Sequence, residues 1–447
     1  KILLGAKNMN EIIVTKFGGS SLASAQQFKK VKDIILANPN RKFVVPSAPG
    51  KRNSKDYKIT DVLYLCYAHI KSGVPFDDIF KLIEERYLNI IDELQIDINL
   101  KPYLKTIKEK IESGASADYI ASRGEYLNGL ILSKYIGFDF VDAADIIVFD
   151  EDRSYNRAKT REKINNLLSN RENVVIPGFY GANEEGDIIT FSRGGSDITG
   201  SIISSGINAN LYENWTDVSG FLMADPRIVK APKTIETISY KELRELSYMG
   251  ASVLHEEAIF PVREKNIPIR IKNTNRPNDP GTLIVDELSK DSKALSVTGI
   301  AGRKDFTVIS IYKALMNSEL GFCRKVLSIL ENKGVSFENM PAGIDTVCLV
   351  IDSSKLNNKL NEIVDEIKMQ CNPDSIEVNP NMSVIATVGR GMAKTPGIAA
   401  KIFNAVYEAN INIKMIDQGS SEMNILIGID NSDFEKATNA IYNAFVK

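Results

Sequence analysis

The chain has 447 residues with 55 Lys+Arg against 57 Asp+Glu, a formal net charge of −2. A hydrophobic fraction of 43% is that of an ordinary globular protein, and at about 100–200 residues per domain the length predicts two or three domains. Near-neutral charge excludes a dedicated nucleic-acid binder, and no apolar run reaches the ~20 residues of a membrane-spanning helix, so neither partner is expected.

Lys1 to Asn10 holds only the apolar run Ile2-Leu3-Leu4, too short for a signal-peptide core. Met9, just ahead of strand-like sequence, would serve as an alternative start. Ile12-Ile13-Val14 reads as a strand, followed by Gly18-Gly19-Ser20-Ser21 and a helix over Ser24 to Ala37. Phe43-Val44-Val45 is a second strand ending in Pro46-Ser47-Ala48-Pro49-Gly50. A basic loop follows to Lys58, and residues 76–135 are mainly helical in pattern. Val174 to Ile176, Ile188 to Phe191, Leu211-Tyr212 and Ile269 to Ile271 read as further strands separated by helices. That alternation predicts an α/β domain with a largely parallel open sheet, ending near Pro277-Asn278-Asp279-Pro280-Gly281.

Beyond that turn an internal repeat appears. Gly397 lies 76 residues after Gly321, and each opens a helical run preceded by one apolar strand and followed by another. Closed by helices over Asn358 to Met369 and Phe434 to Phe445, each copy fits a ferredoxin-like α+β module. Such tandem modules serve either as packing domains or as sensors.

The cysteines Cys66, Cys323, Cys348 and Cys371 are far apart and read as buried thiols of a cytoplasmic protein, neither a disulfide framework nor a zinc site. The two histidines, His69 and His255, fall in helical runs and read as structural. The usual nucleotide signatures are missing: no Gly-x4-Gly-Lys-Ser/Thr, no strand–GxGxxG–helix, no HRD and DFG pair.

Four junctions stand out, each placed by this reading at a strand's C-terminal end, where open α/β sheets bind ligands. In Lys16-Phe17-Gly18-Gly19-Ser20-Ser21, glycines let backbone N–H groups approach phosphate oxygens and Lys16 adds a full charge. The same residues suit a serine-capped turn. Ser122-Arg123-Gly124-Glu125 precedes the helical stretch Tyr126 to Ile136 and reads equally as a solvated pair at a helix start. Ser192-Arg193-Gly194-Gly195-Ser196-Asp197 leads into a small-residue helix over Ile198 to Gly206. Trp215 to Gly220, continuing to Ala224-Asp225-Pro226-Arg227, suits a nucleotide base and ribose or a long connection.

Arg193 can grip a carboxylate bidentately and Glu125 can accept an ammonium group, the minimum pair for an α-amino acid. A side-chain carboxylate as acceptor, with a pKa of about 4, is already ionised at neutral pH and needs no general base. That fits a chain with two histidines. The task left is positioning and charge neutralisation.

KFGGSS, SRGE, SRGGSD, WTDVSG with ADPR, and Lys272-Asn273-Thr274, in this order, resemble the aspartate kinases of the amino-acid kinase family over nearly the whole chain. The C-terminal repeat resembles their paired ACT domains. The resemblance implies an amino-acid kinase fold over residues 9–295 and ACT-like modules over 304–378 and 379–447. It implies phosphorylation of L-aspartate on its side-chain carboxylate by ATP with Mg2+, the first step toward lysine, threonine and methionine, with no protein side chain assigned to the metal. By the same resemblance Lys16 stabilises the transferring phosphoryl group and Asp197 organises the site. Thr60, Glu125, Arg193, Gly194, Gly195 and Ser196 contact aspartate. Gly18, Gly19, Ser20, Thr216, Asp217, Arg227, Lys272 and Asn273 join Lys16 at the nucleotide. Phe221-Leu222-Met223 stands where the family usually has a tyrosine, and His255-Glu256 where it often has His-Pro.

Rival readings are a relative acting on glutamate, N-acetylglutamate, carbamate or UMP, and an amino-acid sensor with an inactive kinase domain. Glu125 argues against N-acetylglutamate and UMP, which have no free ammonium group. An intact Lys16, Arg193 and Asp217 argue against decay of the site. In the first module Met316, Ser318, Gly321, Phe322, Ser336, Phe337 and Glu338 match the family's effector site. Glu338 as a bare negative charge favours lysine over threonine as inhibitor, acting in a homodimer or dimer of dimers.

Overall fold

The computed structural model describes residues 11–192, 194–251, 254, 256–286 and 296–446. Met9, Arg193 and His255 lie outside the described residues, as does the stretch 287–295 in which the catalytic region was expected to end.

The first strand, β1 (Ile13–Phe17), is buried at all five positions, as befits a parallel strand covered on both faces. It is followed in chain order by β2 (Arg41–Pro46), β3 (Asp139–Phe140), β4 (Val174–Val175), β5 (Tyr180–Ala182), β6 (Ile188–Thr190), β7 (Leu211–Thr216), β8 (Thr237–Ser239), β9 (Ile269–Asn273) and β10 (Thr282–Val285). Eight of these form one sheet in the order β3-β4-β2-β1-β7-β9-β10-β8. Every neighbouring pair is parallel except β9 with β10. The Ile188 strand differs from expectation: it pairs antiparallel with β5 in a separate hairpin, because the connection over 183–187 is too short for a parallel crossover.

Four successive helices, Ile59–Lys71, Asp77–Leu94, Lys101–Glu112 and Ala117–Ile136, account for the predicted helical region. Their apolar stripes meet in one core that includes Leu63, Phe80, Tyr87, Ile107, Ile120, Phe17 and Trp215. SRGE lies inside the last of these helices, neither at its start nor at a strand end. The burial of Trp215, whose indole donates to Glu213 at 2.9 Å and whose ring stacks on Phe17, explains why β7 runs to Thr216.

The chain divides into two compact units, and the division is not at one chain position. Leu222–Lys233 and most of helix Tyr240–Tyr248 belong with the C-terminal residues, so the region expected as 9–295 is interrupted. The cause is hydrogen bonding: Met223 N–H donates to Lys233 O, Ile300 N–H to Met223 O, and Lys233 N–H to the Tyr442 hydroxyl.

In the second unit β11 (Gly299–Tyr312), β12 (Thr346–Asp352), β13 (Ser375–Val388), β14 (Met415–Asp417) and β15 (Asn424–Asp430) form one sheet ordered β12-β11-β13-β15-β14, all antiparallel. The repeat is visible in its helices, Phe322–Asn332 and Ile398–Glu408, each entered through a short 3-10 turn. The boundary drawn between residues 378 and 379 falls inside β13. One half of β13 pairs with Phe306 to Tyr312 and the other with Gly299 to Arg303, so the strand ahead of the first repeat completes the sheet of the second. Length and alternation reveal strands, but not which halves of two long strands pair.

Candidate functional site

The sharpest feature sits where β1 and β7 end. Lys16, in the last turn of β1, is 8% exposed and its Nζ lies 2.6 Å from Asp197 Oδ1. Asn214 on β7 donates to the same oxygen at 2.6 Å, and the Tyr212 hydroxyl donates to the Asp197 backbone carbonyl at 3.2 Å. Asp197 stands in the first turn of helix Gly195–Gly206, with Ser196 buried beside it. Lys16 Nζ also lies close to the glycine loop, 3.6 Å from where a Cβ on Gly18 would stand. Asn214 and Tyr212 escaped sequence reasoning; a polar pair inside a strand was the available signal.

Gly18 donates to Trp215 O at 2.9 Å, which ties the glycine loop to β7. At Gly19 a Cβ would come within 2.8 Å of Ala48 O, and Gly50 N–H donates to Gly19 O at 2.8 Å. The loop therefore packs backbone to backbone on the Ser47–Gly50 turn at the end of β2. Ser20 is half-buried in the 3-10 turn Gly19–Leu22, beside the buried Ser21.

The other side of that turn faces helix Ala117–Ile136. Gly124 packs so tightly on Ala48 that a Cβ would meet the Ala48 Cβ at 2.8 Å. Ala48 N–H donates to Glu125, and Asn128 Nδ2 donates to Ser47 O at 2.6 Å. Glu125 is 5% exposed, and its Oε2 is buried without a hydrogen-bond partner. Burial pushes its carboxyl up to about 8, against the opposing effects of Ala48 N–H and the nearby Arg123. SRGE is thus no solvated pair. Arg123 is buried, bonded to Ser122 Oγ, and stacked among the rings of Tyr119, Tyr126 and Tyr180. Thr60 sits half-buried in the first turn of helix Ile59–Lys71, whose start is fixed by Ile59 N–H donating to Pro49 O. The loop from 50 to 58 is braced by Arg86, which donates to Gly50 O at 3.1 Å and pairs with Asp56 at 2.8 Å. Arg52 holds the Asp56 carboxyl well below the ordinary carboxylate range.

A second cluster lies at the ends of β7 and β9. Thr274 N–H donates to Thr216 O, Asn273 Nδ2 donates to Asp217 O at 3.1 Å and to Ser219 Oγ at 3.0 Å, and Ser219 Oγ donates to Asp279. Lys272 is 9% exposed, donates to Asp279 O, and lies 5.4 Å from the Trp215 ring; burial lowers its ammonium pKa. Ser21 Oγ and Thr274 Oγ1, 2.7 Å apart, join this cluster to the glycine loop. So Lys16, Gly18, Gly19, Ser20, Thr216, Asp217, Lys272 and Asn273 gather on one edge of the sheet. Gly194 and Gly195 open helix Gly195–Gly206 there, Gly194 with φ 58°. In the segment Phe221-Leu222-Met223, where the resemblance predicts a tyrosine, Phe221 and Met223 are buried. Arg227 belongs to the second unit and is paired with Asp225 at 2.6 Å.

The expected effector segment is also in the second unit. Met316 and Phe322 are buried, Ser318 ends a 3-10 turn, and Gly321 (φ 79°) precedes helix Phe322–Asn332. Ser336 and Phe337 are exposed. Glu338 is not the bare charge expected: Lys355 Nζ lies 2.6 Å from its Oε1 and the Tyr248 hydroxyl donates to its Oε2. Burial pushes this carboxyl up, but those partners outweigh it and hold the pKa below the ordinary value. Lys355 is seventeen positions away in sequence, so the pairing is set only by folding.

The sequence model of the amino acid kinase family matches residues 11–273, and an ACT domain model matches residues 385–445. Aspartokinase 3 of Bacillus subtilis is 37% identical over 97% of this chain and 98% of its own length. The chain belongs to the amino acid kinase family, among the aspartokinases. It is accordingly a phosphotransferase that acts on aspartate. The crystal structure of Clostridium acetobutylicum aspartate kinase is 63% identical and superposes with a TM-score of 0.90 over 97% of this chain and all of that one. Escherichia coli aspartokinase III, solved with lysine and aspartate, is 24% identical and shares the fold, with a TM-score of 0.75 over 98% of this chain and 100% of its own. Among the described residues no helix is long and apolar enough to cross a membrane.

Proposed function

We propose that this aspartokinase transfers the γ-phosphoryl group of ATP to the side-chain carboxylate of L-aspartate, giving 4-phospho-L-aspartate and ADP. One observation carries the reading. The Ser47–Gly50 turn touches the glycine loop at Gly19 and bonds to Glu125 through Ala48, so a phosphate-sized anion site and an ammonium-sized acceptor flank the same turn. Aspartate's ammonium group pairs with Glu125, and Thr60, Ser196 and Arg193, by their places in the motifs, take its carboxylates. The ionised side-chain carboxylate then attacks phosphorus without a general base, and the bond to the ADP oxygen breaks. Lys16 neutralises charge gathering on the transferring group, with Asp197 and Asn214 fixing its ammonium in advance. The Thr216–Ser219 and Lys272–Asn273 cluster holds the nucleotide. Mg2+ bound with the nucleotide would supply further screening of phosphate charge beside Lys16. Among the described residues no group of three His, Cys, Asp or Glu side chains stands ready to hold it unaided.

The regulatory part of the proposal is inhibition by an end-product amino acid, lysine first and threonine second, in a cytoplasmic homodimer or dimer of dimers. Escherichia coli aspartokinase III, solved both with lysine and aspartate and with aspartate and ADP, supports it by analogy. Because Glu338 is already paired, a lysine ligand has to take it over from Lys355. The test is ADP release with aspartate, glutamate and N-acetylglutamate, each with and without lysine and threonine. Turnover on aspartate alone, reduced by lysine, is expected. Preference for glutamate overturns the substrate assignment, and indifference to both effectors overturns the regulatory one.

A further inference from the structure

Among the described residues six buried side-chain polar atoms have no hydrogen-bond partner, and two of them are Glu125 Oε2 and Asn128 Oδ1. These residues are three apart on helix Ala117–Ile136, so their Cβ atoms share a face about 5–6 Å apart. Both also reach the same turn, Glu125 by accepting from Ala48 N–H and Asn128 by donating to Ser47 O at 2.6 Å. The Asn128 amide has only one sensible orientation. A carbonyl accepts and cannot donate, so Nδ2 faces Ser47 O and Oδ1 is turned away from it. Two buried acceptors on one helix face are thus left waiting for a donor.

A proton on Glu125 Oε2 could make one hydrogen bond to Asn128 Oδ1 but leaves the carboxyl neutral, whereas a primary ammonium carries three N–H groups, donates to both atoms and keeps Glu125 ionised. We infer that Asn128 Oδ1 is a second acceptor for the ammonium group of the amino-acid substrate and shares with Glu125 the selection of an amine-bearing dicarboxylate. This inference rests on the proposed aspartate pocket. In that geometry Asn128 is a specificity-determining residue: it reads the ammonium group and takes no part in phosphoryl transfer. Asn128 is 0% exposed, so solvent offers its Oδ1 no donor either.

The test compares L-aspartate with succinate, which lacks only the ammonium group, by calorimetric titration of the full chain. In Asn128→Ala the preference for aspartate over succinate falls about 10-fold, as for loss of a hydrogen bond to a charged group, while succinate binding stays within about 2-fold. Asn128→Asp keeps an oxygen at the acceptor position but has no N–H for Ser47 O, so both ligands bind more weakly while the preference is retained. Equal weakening of both ligands in Asn128→Ala means that the residue only braces the Ser47 turn, and overturns the inference. A lost preference in Asn128→Asp does so as well, whether or not the alanine variant folds. Glu125→Gln, titrated in parallel, separates the two levels: if it leaves the preference intact, the pocket itself is misassigned. If it abolishes the preference while Asn128→Ala does not, the pocket stands and only the role of Asn128 fails.

Discussion

Two glutamates, one buried in the first unit and one half-buried in the second, show how differently folding can set the same side chain. Glu125 has an oxygen with no donor, and burial raises its carboxyl to about 8. Glu338 has both oxygens engaged, by Lys355 and Tyr248, and its carboxyl is held below the ordinary value. The first keeps an acceptor oxygen open. The second has both oxygens committed to partners within the chain. The difference lies in what folding brings within 3 Å, since each residue reads as a plain acidic side chain in sequence.

The largest expected effect comes from the charge facing the phosphoryl group. Lys16→Ala should cost about 3–4 kcal/mol of transition-state stabilisation, a loss of roughly 10²–10³ in kcat, with the circular-dichroism spectrum of the native fold retained. Near-normal turnover in the folded variant removes Lys16 from the mechanism. Next is Glu125→Gln, which keeps shape and removes charge. The KM for aspartate should rise on the order of 10-fold or more while that for ATP stays within about 2-fold. A parallel rise in both means the site has collapsed, and the contrast with Glu338 loses its meaning.

A third measurement reads the two glutamates through pH. Glu125 is raised from 4.5 to about 8, so between those values the folded chain binds more protons than the unfolded one, and stability falls as pH rises through this window. Glu338 is lowered from 4.5, so its contribution is present above 4.5 and is lost as pH falls through its folded value. Melting temperatures of Glu125→Gln should therefore gain on the parent toward pH 8, and those of Glu338→Gln should lose their acid-side slope. Aspartate affinity should also improve as pH approaches 8, where Glu125 ionises more readily, and Glu125→Gln should abolish that trend. If the two variants shift the same limb of the profile, the opposition between the sites is refuted.

The smallest effect on basal rate is expected from Glu338→Gln. Its kcat without effector should match the parent, while half-inhibition by lysine moves to higher concentration by roughly 5-fold or more, the low end of typical coupling free energies. An unchanged lysine response with a reduced kcat would place Glu338 in the catalytic machinery instead.

Much of this molecule was legible in its order of residues. The buried β-branched run of β1 followed by paired glycines marked a tight loop, because close approach of backbone to backbone at Gly19 and Ala48 leaves room for nothing larger. The 76-residue repeat marked two equivalent helices, because the amphipathic period of Phe322–Asn332 recurs in Ile398–Glu408. Asp197 was legible through its glycine-rich neighbours, although its hold on Lys16, 181 positions away, was not.

What the tertiary structure alone decided are the long-range partners. SRGE became a buried helix segment because Tyr119, Tyr126 and Tyr180 enclose Arg123 and Ala48 packs on Gly124. Glu338 acquired Lys355 and Tyr248, and β13 was divided between two repeats, through contacts whose sequence separation carries no local signal. Local propensity, periodicity and turn chemistry act over a few residues and so can be read along the chain. Burial, ion pairing and strand partnership depend on which distant segments meet, and they set whether a glutamate waits for a cation or already holds one.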